Sequence, residues 1–91
     1  MKKGDIVTVV AISGEYVGKF NEVIDGTISL DNPRMIVSNP EGGMGFAHGV
    51  AVTGLEAPTN IVFNNYVFAT QTNSGVERAF IEATTSIQLV K

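Results

Sequence analysis

The chain has no cysteine and only one histidine, His48. Without cysteine there is no disulfide framework, no thiolate zinc site and no cysteine nucleophile. A lone histidine makes no transition-metal cluster and leaves almost no scope for a serine–histidine relay. Basic residues are scarce too: Lys+Arg 6 against Asp+Glu 9 gives a net charge of −3. That balance argues against a general electrostatic grip on phosphate and leaves room only for a local basic or polar site. Long apolar runs are missing. The start, Met1-Lys2-Lys3-Gly4-Asp5, does not resemble a secretory leader, and no stretch approaches a transmembrane length. These absences predict a soluble cytoplasmic protein that does not engage a membrane, in a host cell's cytoplasm if the source is viral.

Leucine is also rare, with three residues, whereas valine, isoleucine and threonine together number 28. β-branched side chains lose rotamer freedom in helices and pack well on a pleated sheet. Ten glycines and seven asparagines supply turns. Ninety-one residues make one domain, 1–91, whose modest core leaves a monomer marginally stable. The composition predicts an all-β fold.

Along the chain, Ile6 to Ile12 reads as a first strand. Ile6, Thr8, Val10 and Ile12 share one face, and Val7, Val9 and Ala11 the other, so both faces are expected to be covered. Ser13-Gly14-Glu15 is a tight turn. Tyr16 to Ile24 is a second strand, with Gly18 marking a bend or bulge. Asp25-Gly26 is the strongest hairpin signal, because a type I′ turn needs positive φ at both positions. Thr27 to Ser38 forms a third strand, interrupted at Asp31-Asn32-Pro33. A long glycine-rich loop follows at about 39–59, with a short strand over Val50 to Val52. Asn60 to Thr72 reads as the next strand, irregular at Asn64-Asn65. Ser74-Gly75-Val76-Glu77 matches a capping box and predicts a short helix near 76–83. Thr85 to Val90 reads as the closing strand.

Five strongly bent strands in so short a chain fit a small SH3-like or OB-like open barrel. The first half narrows this. The stretch from Val7 to Leu30 resembles the first motif of the Sm-like family: an apolar strand, a glycine turn, a second glycine, apolar alternation, an aspartate, then a hydrophobic residue before a base-contacting position. Gly14, Gly18, Asp25, Ile28 and Leu30 fall in matching roles, and Ser29 stands where relatives commonly carry asparagine. The spacing departs by one residue at the glycines and at the aspartate. The family's second motif, an arginine–glycine pair, is not matched, because glycine does not follow Arg78. The resemblance implies a five-stranded barrel that assembles into a homo-oligomeric ring of about five to seven subunits. In such a ring the fourth strand of one copy pairs with the fifth of the next.

The same resemblance implies RNA as a partner, as short single-stranded U- or A-rich segments. Asp25, Thr27, Ile28 and Ser29 would line one wall of each pocket, with Ser29 bonding a base edge and Ile28 supporting a stacked base. Asn73, Ser74 and Gly75 would form the second wall. The competing reading takes both segments as ordinary turns. Lys2, Lys3, Lys19 and Arg34 would become circles of charge in a ring, or are scattered solvated groups; Arg78 with Glu82 reads as a helix-surface ion pair.

An open barrel leaves two strand edges unpaired, which independently favours assembly. Val67, Ala69, Ile87 and Leu89 either line that interface or fill the monomer's core. Gly42-Gly43-Met44-Gly45-Phe46 lacks the lysine and hydroxyl of a phosphate-binding loop, so no cofactor is expected. Met44 and Phe46 either reach a partner or pack back onto the barrel. Carboxylates such as Glu22 with Asp25 have no apolar cleft around them, and an enzyme is not expected. Two functions therefore stand: an Sm-like ring that binds RNA, or a structural or protein-interaction barrel that does not. A small bacteriophage or microbial accessory protein would suit either.

Overall fold

A computed structural model of the chain describes residues 1–47, 49–51 and 53–89, with side chains described through residue 85. His48, Val52, Val90 and the side chains of Ile87 and Leu89 lie outside the described residues. The strands are β1 (Ile6–Ala11), β2 (Gly14–Ile24), β3 (Thr27–Ser38), β4 (Met44–Phe46), β5 (Asn60–Asn64) and β6 (Phe68–Gln71); one helix follows, α1 (Ser74–Leu89). The sheet is antiparallel, in the order β4-β3-β2-β1-β6, and β5 also pairs with β3. It is not closed.

β1 is covered on both faces, as its doubly apolar pattern predicts. Val7 and Val9 enter the main core with Tyr16, Ile28, Leu30 and Phe63. Ile6 points the other way, into a second core with Val17 and Phe80. Tyr16 and Phe63 bridge β2 and β5, their ring centroids 4.7 Å apart. Phe80 of α1 has no exposed surface and meets Phe46 edge-on at 6.0 Å.

The turn chemistry is local. Asp25 and Gly26 hold φ of 51° and 81°, so the β2–β3 hairpin is the predicted two-residue turn. The first turn is Ile12-Ser13 instead of Ser13-Gly14-Glu15, and β2 already begins at Gly14, which pairs with Ala11. β3 runs through Asn32-Pro33 as a bulge opposite Gly18: Val17 pairs with Arg34, and Lys19 with Asp31. Asn32 takes a φ of 52° there, and its N–H donates to the Thr59 carbonyl at 2.9 Å. The bulge lets β3 bend, so that its first half pairs with β5 and its second half with β4.

Three expectations are corrected. β4 lies inside the segment expected to be irregular. Asn39 makes it possible, since its Oδ1 accepts the N–H groups of Glu41 and Gly43 at 3.0 and 2.9 Å and closes the β3–β4 turn. Residues 60–72 are two strands, because Asn65 adopts a φ of 59° and turns the chain from β3 toward β1. Val50 is not in a strand; it packs against the main core from the loop.

The largest correction is at the C-terminal end. Residues 85–89 belong to α1, not to a closing strand. The last strand of the sheet is β6, which pairs with β1. The helix is capped by Asn73, not Ser74: Asn73 Oδ1 accepts the Val76 N–H at 2.9 Å, and its carbonyl accepts the Glu77 N–H at 2.9 Å. Thr84 and Thr85 suit a helix here by donating their hydroxyls to the Phe80 and Ile81 carbonyls at 2.9 and 2.6 Å.

Candidate functional site

Backbone pairing leaves three strands with a free edge among the described residues: the three-residue β4, which pairs only with β3, and the longer β5 and β6. β5 pairs only with β3, and β6 only with β1. β5 and β6 are consecutive in the chain, joined by Asn65, Tyr66 and Val67, and they stand at opposite ends of the pairing path that runs from β3 through β2 to β1. Proteins usually guard such edges with charge or proline. Here the run from Ala57 to Val76 contains no Asp, Glu, Lys, Arg or His. Val62, Val67 and Phe68, on or beside these edges, are each at least half exposed. Ile12 stands 94% exposed at the adjacent turn, beyond Val10, which pairs with Phe68. Of the four residues proposed from sequence for an interface, Val67 is exposed just before β6 and Ala69 packs partly against the main core.

The predicted RNA-contacting residues do not share one pocket. Asp25 is exposed at the hairpin tip, and Thr27 donates its hydroxyl to the Ile24 carbonyl at 2.7 Å. Ile28 is 0% exposed, inside the main core, so it has no surface on which a base would stack. Ser29 is 7% exposed on the opposite face of β3. Its Oγ accepts the side-chain amides of Asn21 and Asn60 at 3.2 and 2.8 Å. Asn60 Nδ2 also reaches the Leu30 carbonyl at 3.1 Å and Asp31 Oδ1 at 3.0 Å. Ser29 is therefore the centre of a polar network that ties β2, β3 and β5 together, and the expected base-edge contact is replaced by that role.

Asn73, Ser74 and Gly75 open α1 instead of forming a loop, and Asn73 Oδ1 is engaged in the cap. They follow the far end of β6, where the Thr72 N–H donates to the Ile6 carbonyl. The sheet register places a different turn beside Thr27: its partner is Asn64, followed by Asn65 and the half-buried Tyr66. The Asn64-Asn65 pair was the signal in the sequence, read there only as an irregularity.

Basic groups are dispersed. Lys2, Lys3 and Lys19 are exposed, while Arg34 Nη1 donates to the Pro33 carbonyl at 2.9 Å and braces the bulge. Met44 is exposed, and Phe46 packs back toward Phe80. Among the described residues, no buried side-chain nitrogen or oxygen lacks a partner, and no cluster of three His, Asp or Glu could hold a metal. No described helix is long and apolar enough to cross a membrane. No protein-family model matches the chain, and no curated protein resembles it at a significant level.

Proposed function

We propose that the protein is a non-catalytic, self-assembling β-barrel whose copies join edge to edge in the Sm-like manner, as a structural or protein-interaction module. The observation that carries this reading is the pair of consecutive free edges, β5 and β6, inside an uncharged run. Each edge holds backbone N–H and C=O groups that pairing with a neighbour would satisfy, and nothing on either edge repels a neighbour. A contact between unlike edges is heterologous and closes into a ring when the rotation allows. The resemblance to Sm-like proteins sets the expected size at about five to seven copies.

RNA binding at one rim of that ring is the second reading. What favours it is the register of Thr27 with Asn64, which sets two polar turns side by side in every copy. Asp25 and Thr27 would then act with Asn64, Asn65 and the ring of Tyr66, leaving Ile28 and Ser29 as support. With net −3 per copy, binding would depend only weakly on salt. Native mass spectrometry with and without oligo-uridine and oligo-adenosine separates the readings. A closed oligomer that retains neither oligonucleotide supports the module, a closed oligomer that retains one supports RNA binding, and a monomer in both samples removes both.

A further inference from the structure

α1 meets its own sheet through one stripe. Val76 and Phe80, four residues apart, pack against Ile6, Val17, Ile36 and Phe46. Past Phe80 the helix runs on without a floor: Ile81, Glu82, Ala83 and Thr85 are all exposed. Ile81, Thr84 and Thr85 are β-branched and weak helix formers, and a helix of this length is marginal in water unless a face is packed.

The face turned away from the sheet is not featureless. Ser74, Glu77, Arg78, Ile81 and Glu82 make one open surface along it. At about 100° per residue, Ile81 projects about 140° from Val76 and about 100° from Phe80, to the side of the packed stripe. The charges around it are self-complementary under a two-fold axis. Two antiparallel helices crossing at the level of residue 80 bring the two Ile81 side chains together at the centre. Arg78 of each copy then faces Glu82 of the other, at both ends of the contact. The opposite, parallel arrangement would set like charges against each other.

We propose that α1 is an isologous docking helix: two copies, and two rings where rings form, associate face to face through Ile81, Arg78 and Glu82. The occupant is a second copy because the charge pattern completes itself only under that symmetry. The contact also covers Ile81, which is exposed within one copy. It is separate from the β5 and β6 edges, so the two modes of assembly fail independently.

Sedimentation velocity on the full chain, with circular dichroism to verify helix content, tests this in the parent, Arg78→Glu, Glu82→Arg, the double exchange and Ile81→Asp. The expected result is that either single charge reversal, and Ile81→Asp, halves the mass of the parent assembly, and that the double exchange restores it. If edge pairing fails but the helix contact holds, the parent is a dimer that the same single variants convert to monomer. If all variants keep the parent's mass with their helix intact, or the double exchange stays at half mass, the proposal is overturned. A parent mass equal to one odd-numbered ring, unchanged by Arg78→Glu, overturns it as well.

Discussion

Replacing Gly18 by valine tests the close approach that accompanies the bend of β3. A Cβ built on Gly18 lies 3.1 Å from Leu30 Cβ, 3.1 Å from Pro33 Cα and 3.2 Å from the Asp31 carbonyl oxygen. Two of these neighbours are backbone atoms, and Pro33 is fully buried. A methyl group at this distance requires shifts of a few tenths of an ångström; the two further methyls of valine require more. Overpacking of this kind costs about 1–3 kcal/mol. Gly18 does not sit at positive φ, so the backbone itself accepts a side chain, and the smaller unfolded-state entropy returns about 0.4–1 kcal/mol. The expected net loss for Gly18→Val is about 1.3 kcal/mol, or roughly 5–10 °C in Tm for a domain of this size. Gly45, on β4, is the control: nothing lies within 4 Å of its Cβ position and its φ is not positive, so Gly45→Val should be neutral or stabilising. Thermal and urea unfolding of both variants at one fixed protein concentration gives the comparison. Gly18→Val as stable as its parent, or Gly45→Val as damaging as Gly18→Val, would refute the close approach at this position.

Further outcomes follow from the same contacts. Phe80→Ala removes the largest fully buried side chain and should cost about 3–5 kcal/mol, with a loss of helical circular dichroism as α1 leaves the sheet. Ser29→Ala leaves the Asn21 and Asn60 amides without their shared acceptor and should lower stability in urea by about 1–2 kcal/mol; an unchanged midpoint would show that the network is not structural. Asn73→Ala removes the cap of α1 and should cost about 1 kcal/mol in the same assay, whereas Ser74→Ala should cost less. Thr70→Lys puts a charge on the free edge of β6 and should reduce the oligomer to smaller species in size-exclusion chromatography while the monomer stays folded.

Where one local cause decides the structure, the sequence was readable. Asp25-Gly26 demands its turn whatever surrounds it, and the doubly apolar pattern of β1 has one satisfactory environment. Gly18 and Asn32-Pro33 were each recognisable as irregular; that they lie opposite one another in a single bulge depends on register, which only the folded sheet supplies. Residues 85–89 misled because threonine and isoleucine favour strands locally, whereas here they continue a helix whose first half is anchored on the sheet by Val76 and Phe80. The placement of the candidate site residues was hidden for a related reason. Ile28 follows an exposed turn by only two residues, yet alternation sends its side chain inward, and the β5 partner that covers the neighbouring Ser29 lies 31 residues away in sequence. The uncharged run from Ala57 to Val76 was open to view, but its meaning depends on both of its strands being edges.

Multi-angle light scattering behind size-exclusion chromatography, on the parent chain at micromolar concentration and at two salt concentrations, tests edge-to-edge assembly most directly. The account predicts, at each salt concentration, one sharp species whose mass is a whole multiple of 9.6 kDa and at least five-fold, because neither edge carries charge for salt to screen; only the α1 contact through Arg78 and Glu82 weakens with salt. A single species of 9.6 kDa under both conditions would contradict it.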